Sequence, residues 1–144
     1  MLNPRSSWLM GAGTAGKDRT GLIAAMILAL TGASKEEIAR DYALTRVGIE
    51  PSREFLLTAL LEQMGKEFNP EVMADPGMQA LAGTNGLNIL AVLDWMVEEW
   101  GAVGKGLEDG NGERLYPGVE GYMAKELGFK GEDVERIRRN LLMK

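Results

Sequence analysis

"GAGTAGKDRTGLIAAMILALTG", Gly11 to Gly32, decides how this chain folds, because it joins a loop of small residues to nine consecutive apolar residues, Leu22–Leu30. Such a run is hydrophobic on every side and predicts a helix buried on most of its surface, with Gly32 as its stop. The loop itself admits three readings. Gly11, Gly13 and Gly16 satisfy the dinucleotide fingerprint G-x-G-x-x-G, but no convincing strand precedes them and no βαβ unit follows. Gly11 through Lys17 satisfy the nucleotide P-loop pattern except for its closing Ser/Thr, whose place is held by Asp18. In the third reading, Thr14, Ala15 and Gly16 let backbone amides curl around an anion, the helix N-terminus points at the same spot, and Arg19 supplies a planar fork for two phosphate oxygens. The third reading uses the most residues with one physical idea.

Working outward, "SKEE" at Ser34–Glu37 is a capping box that starts a second helix running to about Thr45, with Ile38, Tyr42 and Leu44 on its apolar stripe. A third helix is predicted after Ser52, burying Phe55, Leu56, Ala59, Leu60 and Met64, and stopping at Gly65. Residues 66–86 carry Asn-Pro, Asp-Pro-Gly and Gly-Thr-Asn-Gly signals and predict loop with one or two helical turns. "LNILAVLDWMVEEWG" predicts a strong helix closed by Gly101, with Leu87, Leu90, Ala91, Leu93, Val97 and Trp100 at apolar positions, and Gly101–Pro117 a long surface loop. Two more helices are predicted at the end, one stopped near Gly128 and one whose Arg136, Arg138 and Arg139 suit the negative end of the helix dipole.

Composition narrows the chemistry. The 144 residues suffice for one domain, and the net charge of −5 speaks against binding nucleic acid or anionic membranes. No apolar run is long enough to cross a bilayer, so a cytoplasmic protein without stable membrane insertion is expected. The chain contains neither Cys nor His, which removes the thiolate nucleophile and the commonest general base and metal ligand. No acidic cluster has the spacing of a metal site, so neither a metal nor a cofactor is expected.

"TAGKDRTGLIAAMILALTGASKEEIARDYALT", Thr14 to Thr45, resembles the segment that follows the catalytic cysteine in the tyrosine-phosphatase-like family of bacteria and fungi, whose motif reads His-Cys-x-x-Gly-Lys-Asp-Arg-Thr-Gly. The similarity continues more weakly to "GVEGYMAKELGF" and the last helix. It implies hydrolysis of phosphate monoesters, with a phosphorylated protein or a phosphoinositide as the partner molecule. Thr14, Ala15, Gly16, Lys17, Asp18, Arg19 and Thr20 would line the phosphate cradle, Arg19 stabilising charge on the phosphoryl group and Lys17 adding positive charge. Asp18 would be the general acid, and Thr20 would assist the nucleophile.

The chain departs from the motif where chemistry begins, because Ala12 and Gly13 stand where the family has His and Cys. The family reacts through a phosphocysteine, so a protein with Gly13 at that position is expected to be a pseudophosphatase that keeps a phosphate-binding loop. The fold expected is mainly α: the helical C-terminal portion of an α/β cysteine-phosphatase fold, with most of the central sheet missing. Residues 1–13 are expected to be an irregular N-terminus unlike the family, through truncation or replacement, and 14–144 a single helical domain. Helix faces left uncovered would favour self-association. The alternatives are a non-enzymatic protein-interaction module and, with less support, a P-loop nucleotide binder.

Overall fold

A computed structural model describes residues 17–65, 67 and 69–143. The described chain is mainly α, as the sequence predicts, with eight α-helices, a 3-10 turn at Glu50–Ser52 and one two-stranded antiparallel sheet among the described residues. Its framework is built from α1 (Lys17–Leu30), α2 (Lys35–Ile49), α6 (Gly86–Trp100) and α7 (Pro117–Lys125), with α8 (Gly131–Leu142) closing one end. Between α2 and α6 come α3 (Arg53–Gln63), α4 (Pro70–Ala74) and α5 (Pro76–Ala82).

Local signals explain the helix ends. Leaving α1, Gly32 takes φ +82°, and the amides of Gly32 and Ala33 bond back to the carbonyls of Ala29 and Leu28 at 3.1 and 3.0 Å. This is the Schellman arrangement that a C′ glycine permits. Two residues later the capping box forms as predicted: Glu37 N–H donates to Ser34 Oγ at 3.2 Å, and Ser34 N–H donates to Glu37 Oε2 at 2.7 Å. Asn85 caps α6 by accepting from Leu87 N–H at 3.0 Å. The interval 66–86, read as loop with one or two short helical turns, carries two short helices, α4 and α5, each opened by an Asn or Asp cap followed by Pro. Within the glycine-rich 101–117 segment, β1 (Leu107–Glu108) pairs with β2 (Arg114–Leu115) as a short hairpin.

The core gathers Ala25, Ala29 and Leu30 of α1 against Ile38 and Tyr42 of α2, and Ile89, Leu93 and Met96 of α6 against Val119 and Met123 of α7. Side chains pack this closely because several crossings run over glycine. A Cβ on Gly118 would lie 2.2 Å from the Met96 carbonyl carbon, and one on Gly121 would lie 2.1 Å from the Trp100 oxygen, so α7 presses its backbone onto α6. Gly86 meets the Ala39 carbonyl of α2 in the same way, at 2.4 Å. Tyr116 ties the ends of this assembly together. It adopts a left-handed conformation at φ 48° and donates from its hydroxyl to the Ala33 carbonyl at 2.8 Å.

Helix faces differ from the predicted stripes in three places. In α3 the buried residues are Leu57 and Leu61, while Phe55, expected inside, is 74% exposed. Leu44 of α2 and Leu87 of α6 also face outward. Apolar residues surround most of α3, so its periodicity does not select a side and packing decides. Ile23 and Ile27 of α1 are exposed too, on the face that carries Arg19 and Thr20.

Candidate phosphate-binding site at the start of helix α1

Four of the seven expected cradle residues, Lys17 to Thr20, form the first turn of α1. Thr14, Ala15 and Gly16, together with Gly13, lie outside the described residues. A helix N-terminus presents unsatisfied amides and a partial positive charge, which suits an anion arriving from the preceding loop. Successive residues of a helix turn by about 100°, so the four side chains diverge. Arg19 and Thr20 are on the exposed side, and Lys17 and Asp18 turn toward the protein.

Lys17 is buried, with its side chain 9% exposed, and its ammonium donates to the Gly83 carbonyl at 2.8 Å. The same nitrogen lies 3.6 Å from Asp18 Oδ1. The resemblance assigns this lysine to the phosphate; the structure seats it against the connection between α5 and α6. Asp18, the expected general acid, accepts a 3.0 Å hydrogen bond at that same Oδ1 from the Tyr42 hydroxyl of α2. Its side chain remains 39% exposed. The site therefore brings Asp18 and Lys17 together, while Arg19 is an exposed residue of the same turn.

Tyr42 and Gly83 were not among the predicted site residues. For Tyr42 a signal existed: a tyrosine on a buried stripe needs a partner for its hydroxyl, and Asp18 is the charged group one helix away. For Gly83 none existed, since its part is played by a backbone carbonyl. Burial, followed by the charge of Asp18 and the hydrogen bond to it, pushes the Tyr42 hydroxyl up to about 12. Burial also raises Tyr116, helped by the charges of Glu36, Glu37 and Asp94.

A second polar cluster lies on the far side of the core. Arg138, read from the sequence as a charge placed for the helix dipole, is instead buried, with its side chain 7% exposed. Its Nε donates to the Leu30 carbonyl at 2.8 Å, and its guanidinium pairs with Glu120 and Glu135. The other oxygen of Glu120 accepts from the amides of Lys105 and Gly106 at 3.0 and 2.9 Å. This cluster ties α1, α7, α8 and the hairpin approach together, and it holds the C-terminal end of the helix whose N-terminal end is the candidate site.

Comparison with known proteins bears on what the first turn of α1 was built for. The family model described as the Tyrosine phosphatase family matches residues 9–143. The chain belongs to the tyrosine phosphatase family. The matched span opens within the segment expected to be unlike the family, and it takes in Ala12 and Gly13. A tyrosine-protein phosphatase of Nostoc commune is 29% identical over 128 residues, which are 89% of this chain and 37% of that protein. The chain thus spans well under half the length of the curated relative it matches. No solved structure matches it. Among the described residues, no group of three or more His, Cys, Asp or Glu side chains is placed to hold a metal, and no helix is long and apolar enough to cross a membrane.

Proposed function

We propose that this family member binds phosphate monoester groups at the loop leading into α1 and does not turn them over. The observation that carries the reading is Arg19, exposed on the first turn of α1 within the span shared with the tyrosine phosphatase family. Its guanidinium offers two parallel donors to the phosphoryl oxygens, while the unsatisfied amides of the first turn of α1 and the helix dipole supply further positive potential. Covalent catalysis in the family starts from a cysteine thiolate, and Gly13 has no atom with which to attack. Asp18 keeps the carboxyl of the general acid, with no phosphoenzyme to be formed. The ligand is a phosphorylated protein or a phosphoinositide headgroup, which share the monoester dianion.

Titration of vanadate, orthophosphate and a phosphotyrosine peptide into the wild type and Arg19→Ala tests this directly. Binding that is lost in the variant supports the proposal, and equal binding by both proteins refutes it. Aryl phosphate turnover by the wild type would refute the second half. Activity gained by Gly13→Cys would show that the cradle is formed and needs only its nucleophile. Comparing the peptide with a soluble inositol phosphate separates the two ligand sources.

Apolar side chains on the surface favour one further reading, that the protein acts as an interaction module. Phe55 is 74% exposed and Ile23 59% exposed, each a candidate contact for another chain. Sedimentation of the wild type against Ile23→Ser and Phe55→Ser reads this: a concentration-dependent mass that the variants abolish supports it, and a monomer at all concentrations refutes self-association.

A further inference from the structure

Gly21 closes the "KDRTG" string, yet it lies inside α1, a helix in which glycine costs about 1 kcal/mol relative to alanine. Its surroundings supply a reason. A Cβ at Gly21 would lie 2.8 Å from Cε2 and 2.9 Å from Cδ2 of Tyr42, closer than a methyl and an aromatic ring tolerate. Tyr42 itself belongs to the core cluster and is 6% exposed, so its ring has little freedom to retreat. The missing Cβ lets the ring slide across α1, and the hydroxyl reaches Asp18 Oδ1, three residues before Gly21 on the same helix.

We infer that Tyr42 is a positioning residue for the first turn of α1: passing over Gly21, it holds the Asp18 carboxylate against Lys17 and α2 and so keeps that negative charge off an anion bound beside Arg19. The inference rests on the phosphate-binding reading of the loop. Its physical content is charge placement. A carboxylate in the first turn favours the helix dipole, yet it repels a phosphate dianion arriving at the same turn. Held by one neutral donor and facing an ammonium 3.6 Å away, it gives the dipole benefit with much of the repulsion removed. Tyr42 suits this task because it stays protonated, and so remains a donor, far above neutral pH.

Two measurements decide it. In the full chain labelled at tyrosine Cζ, NMR titration reads Tyr42 ionisation, with the resonance assigned by its loss in Tyr42→Phe. In Asp18→Asn the Tyr42 midpoint is expected about one pH unit lower than in the wild type, because the neighbouring charge is gone. An unchanged midpoint overturns the inference. Vanadate affinity is then compared across Tyr42→Phe, Gly21→Ala, Asp18→Asn and the Asp18→Asn/Tyr42→Phe pair, each first confirmed folded by its thermal transition. Tyr42→Phe and Gly21→Ala are each expected to weaken binding roughly three- to five-fold, the range of a half-exposed charge interaction. In the Asp18→Asn background, Tyr42→Phe is expected to change nothing. Equal weakening in both backgrounds means the tyrosine acts only through packing and overturns the positioning role. Failure of the wild type to bind vanadate would remove the phosphate reading, and the tyrosine titration still decides whether the Asp18 carboxylate is held.

Discussion

The Lys17 ammonium donates to the carbonyl oxygen of Gly83 at 2.8 Å, joining residues 66 positions apart. The bond fastens the N-terminus of α1, the start of the proposed phosphate site, to the connection that leads into α6. A buried ammonium held by a backbone carbonyl contributes to the stability of the fold at this point. Lys17→Met keeps the apolar stem and removes the donor, so it is expected to cost about 1 kcal/mol in urea unfolding. Vanadate affinity is expected to fall less than in Arg19→Ala. A Lys17→Met loss of affinity as large as that of Arg19→Ala would place the ammonium on the ligand instead.

Arg138 makes the sharper stability prediction. Its guanidinium is nearly sealed, its partner Glu120 is only 12% exposed, and the Leu30 carbonyl depends on the same side chain. Truncating one member of such a pair leaves the other charge buried, so Arg138→Ala is expected to cost roughly 3 to 5 kcal/mol. Arg139, exposed on the same helix, is the control, and its alanine variant is expected to stay within about 0.5 kcal/mol of wild type. Urea midpoints for the two variants give the comparison directly. Similar midpoints would show that the charges near the end of α8 act only through the helix dipole.

These two residues also show where sequence reading reaches its limit. The capping box at Ser34–Glu37 and the stop at Gly32 are local chemistry, complete within six residues or fewer, and both form as read. In sequence, Arg138 reads as a helix-end charge because its neighbours Arg136 and Arg139 are basic as well. Its position four residues after Val134 puts it on the buried stripe, which a helical count alone exposes. Lys17 offered no such clue, since its partner is a distant backbone carbonyl. For α3 the difficulty was the reverse: apolar residues at Phe55, Leu56, Leu57, Leu60 and Leu61 cover so much of the circumference that the inward face is chosen by tertiary packing. The motif from Lys17 to Thr20 was legible as a set, but its division into inward and outward side chains belongs to the fold.

The contact between α6 and α7 predicts a graded series of glycine variants. A methyl at Gly118 or Gly121 meets backbone atoms of α6 at 2.2 and 2.1 Å, and backbone cannot rotate aside as a side chain can. Gly118→Ala and Gly121→Ala are each expected to destabilise by about 1 to 3 kcal/mol or more, the cost of overpacking a close crossing. Gly131→Ala, with open space around the new methyl at the first turn of α8, is expected to be neutral or slightly stabilising. Thermal midpoints of the three variants are the readout. Equal midpoints would mean the helices separate at no cost, contrary to the packing seen here.

Alkaline unfolding ties the core to the site through Tyr42. Its hydroxyl titrates near 10 in the unfolded chain and is pushed up to about 12 in the folded one, because burial and the Asp18 charge both oppose the phenolate. A raised folded-state value means the unfolded chain gives up its proton first. The stabilisation is therefore fully present below pH 10 and is lost as pH rises from there toward 12. The amount at stake is on the order of 2 kcal/mol, and other groups titrating in the same range add to the total. Tyr42→Phe isolates the share of this one residue. Between about pH 9 and about pH 11.5, the wild type is expected to lose more unfolding free energy than Tyr42→Phe does, the gap opening progressively above pH 10. Urea titrations of both proteins across that interval measure the gap directly. Parallel loss in the two proteins would mean that the phenol ionises without resistance, and that the Asp18 carboxylate does not face it in the folded chain.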